Sequence, residues 1–275
     1  MIYSVTFVLI IFLKKHNNSN KKKNKSKGVE ANTRNARWII RSLLNTVKHL
    51  HERNIAHRDI KPENVVIFER EHLALQAKAL QGQQEQMKEK NEEQKSWKAE
   101  KERQKPRGKR IEVKLIDFGN AVSGDNWHKS NEMVGTLNYM SPERYNPAQQ
   151  QLWHEWSGDM WSIGVVTFEL LFQQRLFELD QEVHALKAQI CQGLWSFPTT
   201  NQSQLSMSDL EWLAAKHFIN HLLVIDPKQR TTAAYALKHP WLCRSNKTNS
   251  IKQLRHRMHL WEKRITTYAP SSKKY

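Results

Sequence analysis

The octapeptide HRDIKPEN, His57–Asn64, is the feature that most restricts how this chain can fold. A proline inside it interrupts any helix, so the octapeptide is predicted to be a loop. An apolar run at 65–68 follows directly, and a second run at 113–116 leads into DFG, residues 117–119. Both runs are typical of short buried strands. Paired as a hairpin, the two strands would carry the two polar loops side by side.

A charged segment, residues 69–110, separates these strands. It contains twelve Lys or Arg, eight Glu and many Gln. Polar residues interrupt its heptad spacing, which argues against a lasting coiled coil. We expect a solvated helix with Glu–Lys pairs, and disorder is the alternative. An insertion at a hairpin turn costs little loop entropy, so the domain around it can stay compact.

The positive charge of the chain is concentrated at its ends. The net charge is +17, of which residues 1–28 contribute +7 and residues 243–275 contribute +8, so +2 remains for residues 29–242. A nearly neutral body argues against a nucleic-acid-binding face. The two cysteines form neither a disulfide framework nor a zinc-binding pattern, which is typical of an intracellular protein, and we expect a cytoplasmic location.

The first 31 residues are interpreted as a leader that is not homologous to the domain. Their apolar run, Val5–Leu13, is shorter than the roughly 20 residues that span a bilayer. The lysines follow this run instead of preceding it, unlike the charges of a secretory signal. A Lys- and Asn-rich stretch completes the segment. We therefore expect no membrane association.

Helical periodicity begins at about Asn32 and predicts an amphipathic helix that leads into the octapeptide. Trp38, Ile39 and Leu43 lie on its apolar face. The remaining pattern is also mainly helical. Further predicted helices span Asp159–Leu171, Glu182–Cys191, Ser208–Val224 and Thr232–Lys238.

The tail, residues 243–275, is predicted to form a basic amphipathic helix. Its apolar side chains recur at three- and four-residue steps among lysines and arginines: Ile251, Leu254, Met258, Trp261 and Ile265. Packing of this helix on the domain is the favoured interpretation. Such a helix is also similar to calmodulin targets and autoinhibitory helices, so a calmodulin-like partner is the first alternative and disorder is the second.

Five motifs occur in the order found in one enzyme family. They are HRDIKPEN, DFG, GTLNYMSPE at 135–143, DMWSIG at 159–164 and DPKQR at 226–230. From 32 to 242 the chain resembles the carboxy-terminal lobe of eukaryotic-type protein kinases, and HPWL at 239–242 resembles their calcium/calmodulin-dependent group. The resemblance implies a mainly α fold (an α+β kinase large lobe), in which a short β-hairpin carries the catalytic loops.

The resemblance also implies catalytic roles in phosphoryl transfer from ATP. Asp59 would accept or orient the proton of the attacking hydroxyl, and Lys61 would offset the charge of the transferred phosphate. Thr136 would hydrogen-bond to both. A lysine at this position of the catalytic loop is typical of serine/threonine kinases.

Ligand-binding residues follow from the same resemblance. Asn64 and Asp117 offer the oxygen ligands that suit Mg²⁺. Val66 would lie beneath the adenine of ATP. Glu63 and Glu169 match positions where kinases with basic substrates bind an arginine near the acceptor hydroxyl. The alternative is that both glutamates are ordinary residues of the lobe.

Other matched residues would organise the site. His57 and Phe118 resemble the lower members of a stacked apolar column. Asp159 would anchor the backbone of the catalytic loop. Glu143 and Arg230 would form a buried ion pair.

Control of activity is predicted at the segment before Gly135. In many relatives the residue equivalent to Arg58 binds a phosphorylated threonine there. Glu132 would partly mimic that phosphate, although it carries one charge where a phosphate carries nearly two. An alignment that places Ser130 at this position stays open.

The 275 residues contain neither a glycine-rich loop nor a strand lysine of the V-A-I-K kind. We therefore interpret the chain as an amino-terminally truncated kinase that lacks the small β lobe and has negligible activity alone. The alternatives are a catalytically inactive, pseudokinase-like protein-binding module and a scaffold built around the charged segment. The intact Asp59, Asn64 and Asp117 favour the kinase.

Overall fold

The structure is a computed structural model that describes most of the chain. Most of the charged segment and Glu132 lie outside the described residues, so the helix or disorder predicted for that segment stays a prediction. The described residues are 6–8, 25–69, 111–124, 133–145, 152–178, 182–198, 208–243 and 250–266.

Helices predominate over strands in the described residues, as expected for a mainly α domain. The helices are α1 (Lys25–His51), α2 (Leu152–Phe172), α3 (Val183–Cys191), α4 (Asp209–Leu222), α5 (Ala233–Ala236) and α6 (Ile251–Thr266). The strands are β1 (Thr6–Val8), β2 (Ile55–Ala56), β3 (Val65–Glu69), β4 (Ile111–Leu115) and β5 (Val122–Ser123).

Helix α1 is longer than predicted, because it begins at Lys25 and not near Asn32. The additional residues 25–31 contain no proline that would stop a helix, but they include Gly28 and form no apolar stripe, so the sequence pattern does not mark them as helical. Ile39 on the predicted apolar face is fully buried. Trp38 is 37% exposed, so it lies at the edge of that face and not within the core.

The predicted hairpin forms and gains a third strand. β3 pairs antiparallel with β4, with Val65 opposite Leu115. β1, which comes from the apolar run of the expected leader, pairs with the other edge of β3 and places Thr6 opposite Phe68. β2 and β5 form a separate two-stranded ribbon. A single hairpin was therefore an incomplete prediction, since strands of two or three residues carry too little periodicity to be recognised.

Helix α2 lies at the centre of the core. It is buried on all sides from Met160 to Leu171, and most of these residues are apolar, as expected for a helix inside a core. Gly164 allows α2 to approach α4 closely, because a Cβ atom there would lie 2.8 Å from Leu223 Cδ2. Among the described residues, no helix is both long and apolar enough to cross a bilayer.

The carboxy-terminal helices are capped by short polar side chains. The Ser208 hydroxyl accepts a hydrogen bond from the Glu211 amide at the start of α4, and Thr232 does the same for α5. Such caps satisfy amides that have no partner within the helix. α6 packs on the lobe through the buried side chains of Leu254, Met258 and Trp261.

Candidate active site

The β3–β4 hairpin places the two polar loops next to each other. The catalytic loop, residues 57–64, ends in a 3-10 turn at Pro62–Asn64 and runs directly into β3. The DFG loop, residues 117–119, follows β4 after one residue. The Ile116 amide donates a hydrogen bond to the Asn64 carbonyl at 2.9 Å, which ties the two loops together.

Asp59 lies at the centre of a hydrogen-bond network. Its Oδ1 accepts bonds from the amide and the hydroxyl of Thr136 at 3.0 and 2.8 Å. Its Oδ2 lies 2.8 Å from Lys61 Nζ, and Asn64 Nδ2 donates to its backbone carbonyl at 2.8 Å. Lys61 Nζ also donates to the Thr136 hydroxyl at 2.8 Å. The structure therefore brings Asp59, Lys61, Asn64 and Thr136 together.

The same network keeps Asp59 ionised. Its side chain is 6% exposed, and this burial acts to raise the pKa of the carboxyl. Hydrogen bonds from Lys61 and Thr136, together with the charge of Lys61, outweigh burial and hold the pKa of Asp59 below its usual value. A carboxylate in this state can accept a proton or orient a hydroxyl group.

The Asp159 carboxylate holds the backbone of the catalytic loop in place. It accepts hydrogen bonds from the His57 amide at 2.9 Å and the Arg58 amide at 2.8 Å. His51 Nε2 lies 3.0 Å from the same group. Burial acts to raise the pKa of Asp159, but these hydrogen bonds reverse the effect and lower it. The sequence predicted the anchor but not His51, whose only signal is its place in the last turn of the preceding helix.

Gly135 positions Thr136 beside Asp59. Its φ of +105° favours glycine, and a Cβ atom there would lie 2.5 Å from the Arg58 carbonyl oxygen. Arg144 donates to that carbonyl at 2.8 Å and to the Val134 carbonyl at 2.7 Å. The segment is thus held against the catalytic loop through backbone groups, an arrangement that the sequence did not predict.

The DFG loop is more exposed than the catalytic loop. Asp117 is exposed and has a φ of +64°, and its Oδ1 accepts a hydrogen bond from the Gly119 amide at 3.3 Å. In the described residues, no hydrogen bond or ion pair joins the Asp117 carboxylate to Asp59 or Asn64. The Phe118 ring is 47% exposed and meets the His57 ring edge-on at 4.9 Å between centroids.

Glu143 and Arg230 form a bidentate ion pair. Their two hydrogen bonds measure 2.7 and 2.9 Å, and the side chains are 8% and 0% exposed. The guanidinium also donates to the carbonyls of Ser157 and Val224 at 2.7 and 2.8 Å. This pairing holds the segment that follows Thr136 against the carboxy-terminal helices.

Glu63 and Glu169 leave two buried carboxylate oxygens without hydrogen-bond partners in the described part of the chain. Glu169 Oε2 accepts a bond from the Tyr139 hydroxyl at 2.7 Å, whereas its Oε1 has none. Burial raises the pKa of Glu169 to about 7, and the charge of Glu63 acts in the same direction. The hydrogen bond from Tyr139, the charge of Arg175 and a backbone hydrogen bond from Leu176 act in the opposite direction. Glu63 and Glu169 thus each have one carboxylate oxygen without a side-chain or backbone donor in good geometry among the described residues.

Val66 and Arg58 are two further predicted site residues that the structure describes. Val66 is 3% exposed on β3, where it lies opposite Val8 and Lys114 in the sheet. Arg58 donates from Nε to the Asn120 carbonyl. Glu132 lies outside the described residues, so its predicted pairing with Arg58 stays a prediction.

Comparison with known proteins identifies the family of this chain. The sequence profile of the protein kinase domain matches residues 3–242, so the chain belongs to the protein kinase family. This confirms the family that the five motifs indicate. The match begins at residue 3 and gives no support to the absence of a small lobe. The boundary after residue 31 stays a prediction.

The chain is also similar to individual kinases. It is 30% identical over 219 residues to calcium/calmodulin-dependent protein kinase type II alpha chain of Drosophila melanogaster. It is 28% identical over 216 residues to a probable myosin light chain kinase of Dictyostelium discoideum. Each alignment covers 78% of this chain, but only 32% and 43% of the relatives. The chain therefore spans less than half the length of these curated relatives.

Two solved structures of the Rad53 kinase domain and SCD2, one of them in complex with AMPPNP, are 24% identical to the chain. They match it with a TM-score of 0.49. The alignments cover 83% and 84% of this chain and 65% and 68% of those chains.

Proposed function

We propose that this protein is a serine/threonine protein kinase that transfers the γ-phosphate of ATP to hydroxyl groups of proteins. The observation that carries the proposal is the network around Asp59, in which Lys61, Asn64 and Thr136 all bind one buried aspartate. The lysine and the threonine also bind each other, so all three side chains converge on one point of the catalytic loop.

Each residue of the network has a chemical task. The Asp59 carboxylate, with its lowered pKa, accepts or orients the proton of the attacking hydroxyl. Lys61 Nζ provides positive charge beside the group in transfer, where the transition state is charged and loosely bonded. Thr136 keeps both side chains in place, because its hydroxyl contacts each at 2.8 Å.

Asn64 and Asp117 fit a magnesium site by the chemistry of their donors. The Asn64 amide nitrogen faces Asp59, which turns the amide oxygen of Asn64 away from Asp59. The exposed Asp117 carboxylate lies one residue beyond the amide that binds the Asn64 carbonyl. Mg²⁺ favours such oxygen ligands, and when bound it would neutralise charge on the ATP phosphates. Val66 would form the floor for adenine.

The substrate is proposed to carry an arginine near the acceptor hydroxyl. The oxygens of Glu63 and Glu169 that lack a hydrogen bond within the described residues are closed to water in the structure, so a rotation of these side chains would have to open them to a guanidinium group, which has five donors. We expect a serine peptide with arginines to bind more tightly than the same peptide with glutamines. The preference should disappear in Glu169→Gln and persist in Glu182→Gln, an exposed control. Equal binding of both peptides to the unaltered chain would refute this preference.

Arg58 and Glu132 are proposed to regulate the site. Glu132 would supply constant negative charge where relatives carry a phosphate, so activation would not require phosphorylation of this segment. Glu132→Ala should lower activity without changing the phosphorylation state of the protein. An unchanged rate of phosphoryl transfer would refute a regulatory role for Arg58 and Glu132.

A calmodulin-like partner for α6 would first have to release this helix. Leu254, Met258 and Trp261 are buried against the lobe, and the Trp261 indole donates to the Tyr235 carbonyl at 3.1 Å. Packing on the domain, one of the three alternatives from the sequence, is the arrangement in the structure. The proposed partner therefore competes with the lobe for one apolar face.

A chimera tests the kinase directly. The purified chain contains no glycine-rich loop, so we expect it to transfer little phosphate from ATP alone. Fused behind the ATP-covering lobe of the fruit-fly relative, it should phosphorylate a serine peptide, and Asp59→Asn should abolish the transfer. A folded but inactive chimera would favour the pseudokinase-like binding module instead. Robust transfer by the chain alone, lost in Asp117→Ala, would disprove the truncated form.

A further inference from the structure

A histidine cluster joins α4 to α6 outside the catalytic loops. His217 and His221 lie one turn apart on α4, and Glu262 faces them from α6. His217 Nε2 is 2.9 Å from Glu262 Oε1, and His221 Nε2 is 3.7 Å from the same oxygen. One ligand atom from each of the three residues lies within 4.8 Å of the other two. Phosphoryl transfer requires none of these side chains.

We propose that His217, His221 and Glu262 bind Zn²⁺ and that the ion clamps α6 to α4. Two imidazoles and a carboxylate form a ligand set of zinc, with water in the fourth position. Bonds of about 2.0–2.2 Å place two ligand atoms of a tetrahedral zinc ion roughly 3.3–3.5 Å apart. The observed 2.9 and 3.7 Å lie on either side of this spacing. The two imidazole nitrogens lie within 4.8 Å of each other, so side-chain rotations that adjust these three separations would form the site.

The second nitrogen of each imidazole already has a partner. His221 Nδ1 donates to the His217 carbonyl at 2.8 Å, which leaves a lone pair on the Nε2 atom that faces Glu262. His217 Nδ1 lies 2.8 Å from Nε2 of the buried His239. Metal-binding histidines are typically oriented by such a bond on the nitrogen that does not touch the metal. The two rings are thus oriented before an ion arrives.

Zinc must displace one proton from this network. The Trp241 amide donates to His239 Nδ1 at 3.0 Å, so neutral His239 carries its proton on Nε2 and donates it to His217. His217 then carries its own proton on Nε2, pointing at Glu262. On zinc binding that proton leaves to water, the His239 proton moves to His217 Nδ1, and His239 takes a proton from water on Nδ1. The number of protons is unchanged.

Zinc binding exchanges hydrogen bonds for metal–ligand bonds. The rearrangement breaks the bond from His217 to Glu262, which the ion replaces, and the bond from Trp241 to His239, which leaves two buried donors facing each other. The binding free energy of a three-ligand zinc site has to exceed this cost. The positive charge of Arg257 acts against a cation, and it also acts on His239. The Glu262 carboxylate offsets that charge. The three ligand side chains are 17%, 25% and 42% exposed, so zinc can reach them from water.

The clamp would control whether α6 stays on the lobe. The Trp261 ring packs against the rings of His217, His221 and His239 at centroid distances of 6.0, 4.9 and 4.6 Å. An ion that joins Glu262 to α4 would hold this tryptophan in place. Zinc would thereby oppose any partner that binds the apolar face of α6.

Zinc titration of the purified 275-residue chain by calorimetry tests the site. We expect one ion per chain. His221→Gln and Glu262→Gln should each weaken binding by roughly 100-fold or more, since loss of even an outer partner costs 10–100-fold. His256→Gln, on an exposed position of α6, should bind as the unaltered chain does. Equal affinity in all four proteins, or no binding by the unaltered chain, would overturn the proposal.

Hydrogen exchange tests the clamp separately from the binding. Zinc should slow amide exchange in residues 251–266 of the unaltered chain and have no such effect in His221→Gln. Circular dichroism of each variant verifies that it is folded. Zinc that binds tightly without protecting α6 would disprove the clamp. Exchange that slows equally in both proteins would disprove the assigned ligands.

Discussion

The catalytic loop and the DFG loop lie side by side, but they are held in opposite ways. Asp59 and Asn64 are buried, and Asp159 binds two consecutive amides of the catalytic loop. Asp117 and Phe118 are exposed, and the Asp117 carboxylate binds only the nearby Gly119 amide among the described residues. The helical lobe therefore preorganises the half of the site that is proposed to handle the hydroxyl proton. The half that would meet phosphate and metal faces outward.

The largest effect is expected when the anchor of the buried loop is removed. Asp159→Ala leaves the amides of His57 and Arg58 without an acceptor, and it should lower the free energy of unfolding by about 3–5 kcal/mol. Urea denaturation measures this loss, and Asp159→Asn, which keeps one acceptor oxygen, should lose less. If the alanine variant is as stable as the unaltered chain, the catalytic loop does not depend on this anchor.

Asp117→Ala should give the opposite result in the exposed loop. Its loss of stability should stay near or below about 1 kcal/mol, because the side chain is exposed and only the φ of +64°, which alanine tolerates less well than aspartate, opposes the change. Phosphoryl transfer in the chimera should nevertheless fall by at least about 100-fold. A loss of stability as large as that of Asp159→Ala would remove the contrast between the two loops.

Substitutions of Thr136 test whether the stability of the catalytic loop depends on the hydrogen-bond network around Asp59. Thr136→Val removes the hydroxyl between Asp59 and Lys61 and should cost about 1–2 kcal/mol, whereas Thr136→Ser should cost less. Because the folded pKa of Asp59 is lowered, its contribution to stability is present above the unfolded pKa and is lost as the pH falls. The difference between valine and threonine should therefore shrink in acid. Urea denaturation across pH 3–7 measures it.

The smallest predicted effect is the pH dependence of arginine-peptide binding, which we assign to Glu169. Its folded pKa is raised to about 7 from 4.5, so folding favours the neutral acid, and its contribution to stability falls as the pH rises through this range. Ionised Glu169 attracts arginine, so affinity for an arginine peptide should increase up to about tenfold between pH 6 and 8. Fluorescence anisotropy measures the change. An identical pH profile in Glu169→Gln would assign the titration to another group.

The sequence predicts the parts of the site that depend on local motifs. HRDIKPEN and DFG mark the two loops, and apolar runs mark the strands that join them. The contacts of Thr136 with Asp59 and of Glu143 with Arg230 could be expected because family motifs contain these residues. Their roles in catalysis stay proposals.

The contacts that the sequence does not reveal depend on the tertiary fold. The start of α1 at Lys25 is marked by no apolar pattern in the sequence, and Gly28 lies within the added turns. The strand at Thr6–Val8 is defined by its pairing with β3, and three residues cannot specify that register. The meeting of His217 with Glu262 requires α4 and α6 to pack together, and these residues lie 45 positions apart.

The pairing of Glu69 with Ile111 has a consequence for protein engineering. The two residues that flank positions 70–110 lie opposite each other in the sheet. The number of residues between them can therefore change with little effect on the hairpin. A two-residue Asn-Gly turn could replace these intervening residues, or a reporter domain could be inserted there, while the register between Val65 and Leu115 is kept. The connection between β3 and β4 is thus a suitable site for domain insertion.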